Sequence, residues 1–106
     1  MESDWKKFRN LVPVLRERYV AERNAAIRHF LDDPQKTETE RFWDALYEME
    51  KEAKILRKCL DGHSRSKMWL YLVLMREAGM LKRDDLATFS TELQQEVFED
   101  RQEKGS

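Results

Sequence analysis

The sequence predicts an all-α fold of about four helices in a small bundle, and three observations carry that prediction. Ala, Glu, Lys, Leu and Arg together supply about half of the 106 residues, the bias of long helices. Only three glycines and two prolines are present, too few turn residues for a many-stranded β fold. Apolar residues recur at spacings of three and four, which line one face of a helix. A chain of this length makes one domain with a real core. Residues 1–100 are expected to form that helical domain, and residues 101–106 a frayed polar tail.

Trp5, Phe8, Val12, Leu15 and Tyr19 form the first stripe, with Ser3 as the expected N-cap. Pro13 removes a backbone donor and disfavours helix at Val12, which predicts a kink or a short first helix followed by a new one from Pro13. The stripe continues through Val20, Ala26, Ile27, Phe30 and Leu31 until Asp32, Asp33 and Pro34 stop it. Thr37 and Glu40 then have the T-x-x-E form of a capping box. Behind it Phe42, Leu46, Met49, Ala53, Leu56 and Leu60 make a heptad seam, widened by Trp43 and Tyr47. Acids early (Glu38, Glu40, Asp44, Glu48) and bases late (Lys51, Lys54, Arg57, Lys58) match the helix dipole. Asp61 and Gly62 end the helix, with Gly62 free to turn left-handed.

Met68 to Met75, MWLYLVLM, carries no charge in a chain that is 39% charged. Two turns apolar all round need cover on every side, so a helix over about residues 65–78 is expected at the centre, packed by the amphipathic ones. Ser64 or Ser66 can cap it, and Ala78 and Gly79 close it. Five Leu and Met residues against one β-branched Val argue against a strand. A last helix is expected after Asp84 or Asp85, with Leu86, Phe89, Leu93 and Val97 or Phe98 on one face and Ser90 and Thr91 as a point of breakage.

Twenty Lys and Arg oppose 21 Asp and Glu, so net charge gives no pull toward nucleic acid or anionic lipid. The single cysteine, Cys59, excludes an intrachain disulfide framework and fits a reducing compartment. The first ten residues lack an apolar signal region, and the eight-residue run is far short of the ~20 residues needed to cross a bilayer. The expected location is the cytoplasm, with no membrane partner.

The sharpest chemical feature is the basic turn before the central helix: Arg57, Lys58, His63, Ser64, Arg65, Ser66 and Lys67. Helix-start N–H groups, hydroxyls and cations suit an anion such as phosphate, although the same residues also make an ordinary polar turn with Ser caps. No P-loop spacing is present. Cys59 and His63 lie four apart, but with only His29 as a further nitrogen ligand they cannot complete a structural zinc site, so neither metal nor cofactor is expected. The enzyme alternative is a magnesium-dependent helical nucleotide pyrophosphohydrolase, for which Glu48, Glu52, Glu96 and Glu99 are the available acids. Its spacing matches poorly, because Glu48, Glu50 and Glu52 alternate around the helix. A helix-turn-helix reading fails because Thr91 to Asp100 carries four acids and no base. Eleven aromatic residues instead favour an interface. The sequence therefore predicts a non-enzymatic binding or regulatory protein that works through protein–protein contacts as a homodimer, with weak nucleic-acid or phosphate binding by the 57–67 turn as a further alternative.

Overall fold

The computed structural model describes residues 2–99, and among these every element is helical. Helix α1 spans Glu2–Leu31, α2 Glu38–Leu60, α3 Met68–Glu77 and α4 Thr91–Gln94. Single turns of 3₁₀ helix at Arg65–Lys67 and Arg83–Leu86 lead into α3 and follow it, and a π turn at Gln95–Glu99 extends α4. The expected tail, residues 101–106, lies outside the described residues.

Helices α1 and α2 form an antiparallel hairpin. Its turn is locally determined: Thr37 Oγ1 accepts from Glu40 N at 3.1 Å while Glu40 Oε1 accepts from Thr37 N at 2.8 Å, the reciprocal capping box. The bond from Thr37 N holds the Glu40 carboxyl below its usual range. At the other end of α2, Gly62 takes φ +69°, the left-handed conformation that lets the chain reverse into α3. Gly79, at φ +80°, ends α3 in a Schellman-type closure, with Met80 N donating to Met75 O at 2.8 Å and Gly79 N to Arg76 O at 3.0 Å.

Three expectations about helix ends are corrected. Helix α1 runs unbroken through Pro13, because Phe8, Val12, Leu15 and Tyr19 are buried on both sides of it. Pro13 itself is exposed, so water can reach the carbonyl of Arg9 that a proline leaves unpaired, and packing overrides a helix penalty of about 3 kcal/mol. Ser3 lies inside the first turn of α1 and is not its N-cap. Neither Ser64 nor Ser66 caps α3, since the 3₁₀ turn supplies its own carbonyls: Ser64 O accepts from Lys67 N and Arg65 O from Met68 N. Ser90, by contrast, does break the last segment, its Oγ accepting from Leu93 N at 3.3 Å to start α4.

The core sits around the N-terminal half of α1. Phe8, Val12, Leu15 and Tyr19 meet Cys59 and Leu60 from α2, Leu72 and Met75 from α3, and Met80, Leu81, Leu86, Phe89, Leu93 and Val97 from the C-terminal segments. Polar straps tie this base together. Arg18 makes a two-pronged bond to Asp85 at 2.6 and 3.0 Å and donates to Met80 O at 2.8 Å. The buried Asp4 carboxylate accepts from both the amide and the hydroxyl of Ser90, at 3.0 and 2.6 Å. Beyond the base the remaining halves of α1 and α2 project as a two-helix arm, giving the molecule extents of 52 × 32 × 20 Å. Among the described residues no helix is long and apolar enough to cross a membrane.

Helix α3 is covered on one side. Met68, Leu72 and Met75, at i, i+4 and i+7, are buried, while Trp69 and Leu70 are exposed. The expectation that the whole apolar run is hidden is therefore too broad for these two side chains.

Candidate functional site

The seam that joins α2 to α1 is not the one the large apolar residues mark. The buried positions of α2 are Ala45, Glu52 and Cys59, spaced by seven, together with Leu60 at the base. They lie one residue, and so about 100° of helix, before Leu46, Ala53 and Leu60 of the expected seam. Small side chains at Ala45 and Cys59 let the helices approach. Between them Glu52 accepts a 2.5 Å hydrogen bond from Tyr19 Oη, with Arg23 Nη1 at 3.7 Å from its other oxygen. Burial and this bond to a carboxylate push the Tyr19 hydroxyl well above its ordinary value, so it stays protonated and donating.

Rotation of the seam leaves the arm's large side chains in water. Phe42 is 57% exposed, Trp43 58%, Tyr47 70% and Met49 47%. Phe42 and Met49 lie on one face of α2, and Trp43 and Tyr47, four apart, on the next. The Phe42 and Trp43 rings meet edge to face, with centroids 5.0 Å apart. Phe30 and Leu31, also exposed, close α1 at the same end of the hairpin. With aromatic side chains of about 150–250 Å² each, the four α2 residues present on the order of 500 Å², near the upper size of the largest apolar patch on an ordinary monomer. These exposed aromatic and apolar residues make the arm a candidate binding surface.

The basic turn comes out differently. Arg57, Lys58, Arg65, Ser66 and Lys67 are exposed, as an anion site requires. His63 is instead a packing residue: its ring lies edge-on to Phe8 at 5.0 Å and to Tyr71 at 4.6 Å, and Nε2 donates to Cys59 O at 2.8 Å. The nearby Tyr71 hydroxyl donates to Gly62 O at 2.9 Å, which fixes the turn from the other side. Arg65 lines an open groove of about 340 Å³ whose other charged residues are Asp4, Glu92 and Glu96, so an anion there would meet three carboxylates.

The acids considered for metal are apart. Glu52 is engaged with Tyr19 in the hairpin, Glu48 pairs with Lys51 at 3.1 Å, and Glu96 lines the groove beside α4. The side chain of Glu99 lies outside the described residues. Among the described residues no three His, Cys, Asp or Glu side chains are grouped to hold a metal ion. Cys59 is buried, its Sγ donating to Leu74 O at 3.6 Å, and burial pushes its thiol up against the smaller opposing pull of Lys58. Sequence reasoning missed the Glu52–Tyr19 bond and the exposure of the arm; the sevenfold spacing of small residues at Ala45 and Cys59 was the available signal. Comparison with protein-family models, with curated proteins and with solved structures found no match.

Proposed function

We propose that the chain is a non-catalytic binding or regulatory protein whose aromatic arm is its contact surface for other protein. The single observation that supports this most directly is the exposure of Phe42, Trp43, Tyr47 and Met49 on one helix, while the base buries Phe8, Leu72 and Met75 fully. Aromatic residues of this kind are the usual anchors of interfaces, because they bring large area at little cost in conformational freedom. A homodimer is the simplest assembly that uses the surface, since a two-fold contact needs only one kind of patch.

The test compares proteins retained from a source-cell lysate by the wild-type chain and by the Trp43→Ser/Tyr47→Ser variant. Retention that the variant loses is the expected result. Equal retention by a variant with an unchanged circular-dichroism spectrum removes the reading.

A further inference from the structure

Resting on the arm as the contact surface, we infer that its occupant is a second copy of the chain, laid antiparallel so that two arms form a four-helix bundle. Three features support that arrangement. The first is spacing: the apolar stripe Phe42, Leu46, Met49, Ala53 reads four, three, four, and is symmetric about its midpoint. A two-fold axis at that midpoint sets Phe42 of one copy opposite Ala53 of the other, and Leu46 opposite Met49. The bulky Phe42 then meets the small Ala53 at each end, and Leu46 meets Met49, of similar volume, at the centre.

The second is charge. Residues 38–50 of α2 carry Glu38, Glu40, Asp44, Glu48 and Glu50 with the one base Arg41, whereas residues 51–60 carry Lys51, Lys54, Arg57 and Lys58 with the one acid Glu52. Antiparallel pairing lays the acidic half of each helix along the basic half of the other; parallel pairing would lay like against like. Glu52 is already committed to Tyr19, and Arg41 to Glu38 at 3.2 Å and to Asp33 O at 2.8 Å, so neither exception spoils the match.

The third is apolar exposure along the stripe itself: Phe42 is 57% and Met49 47% exposed, and Leu46 and Ala53 between them are only half-buried. The stripe also continues through Leu56 into a shallow groove of about 130 Å³ between α1 and α2, where Val20, Leu56 and Leu60 are the apolar lining beside Arg16, Arg57 and Asp61. That groove offers the partner arm a place to seat side chains.

Two measurements on the full chain decide the matter. Sedimentation equilibrium is expected to give twice the 12.8-kDa chain mass at micromolar concentration, with Phe42→Ser/Met49→Ser reverting to one chain and Lys54→Glu/Arg57→Glu weakening association at least tenfold. Spin labels on Gln35→Cys, beside the turn of the hairpin, report orientation. At 1.5 Å rise per residue, antiparallel arms hold the two labels about 35 Å apart, whereas parallel arms bring them to about 10 Å.

A wild-type chain that sediments as a single copy at 100-fold higher concentration overturns the inference and leaves the arm to the lysate comparison. A dimer that survives Phe42→Ser/Met49→Ser overturns the stripe pairing and leaves the arm to the lysate comparison. A dimer lost in that variant but with labels about 10 Å apart keeps the arm and overturns the antiparallel arrangement.

Discussion

The two halves of α1 belong to the same helix and live in different surroundings. Its N-terminal half is enclosed: Phe8, Val12, Leu15 and Tyr19 face α2, α3 and the C-terminal segments together. Its C-terminal half faces α2 alone, and there Ile27 and Ala45 are the buried apolar residues. A pair of helices can hide only the strip where they touch, so any apolar residue off that strip stays in water until a third element arrives. The base has its third element in α3 and the chain that follows; the arm has none. Between the two sits Glu52 with Tyr19 and Arg23, a polar joint where the enclosed region ends.

Substitutions that separate the two regions should differ most at Phe8 and least in the arm. Phe8→Ala empties a fully buried site and is expected to cost about 3–5 kcal/mol in urea unfolding. A loss below about 1 kcal/mol would mean the base is looser than its burial shows. Glu52→Ala leaves the Tyr19 hydroxyl buried without its acceptor and should cost about 1–3 kcal/mol, with Tyr19→Phe in the same chain recovering much of that. Absence of coupling in that double-mutant cycle would detach the joint from the stability of the hairpin.

Asp85 tests the base through pH. Burial alone would raise its carboxyl, but the bonds from Arg18 and from Lys82 N, with their positive charges, outweigh it and hold the carboxyl below its ordinary value. A folded-state value below the unfolded value of about 3.9 means the stabilisation is complete above that pH and fades as pH falls through the folded value. Asp85→Asn should therefore lower stability at pH 7 by about 1–2 kcal/mol and flatten the acid limb of the stability curve. An acid limb identical to wild type would show that the Arg18 strap is not a net contributor. The smallest effect belongs to the arm. At dilution sufficient for a single copy, Trp43→Ser/Tyr47→Ser should move unfolding by no more than about 0.5 kcal/mol per site, the ordinary range for surface positions.

Features set by neighbours in the chain were legible in the sequence. The capping box at Thr37 and Glu40, the glycine closures at Gly62 and Gly79, the break at Ser90 and the α1 stripe from Phe8 to Tyr19 each depend on a few adjacent residues. Features set by facing helices were not. Heptad logic assigned the seam to Phe42, Leu46 and Met49 because hydrophobicity favoured them, yet close approach favoured Ala45 and Cys59, and a hydrogen bond made room for Glu52. His63 shows the same limit. From its neighbours it belonged to a cationic turn; only the arrival of Phe8 and Tyr71, distant in sequence, makes it a packing residue.

Cys59 gives the base a chemical clock. The thiol is buried between α2 and α3 and held in its protonated, unreactive form, so a disulfide reagent in solution can modify it only when the joint between those helices opens. Its labelling rate then measures how often the enclosed half of the molecule breathes. Native chemistry thus supplies a probe of local opening that requires no engineered residue, and one that sits inside the enclosed base itself.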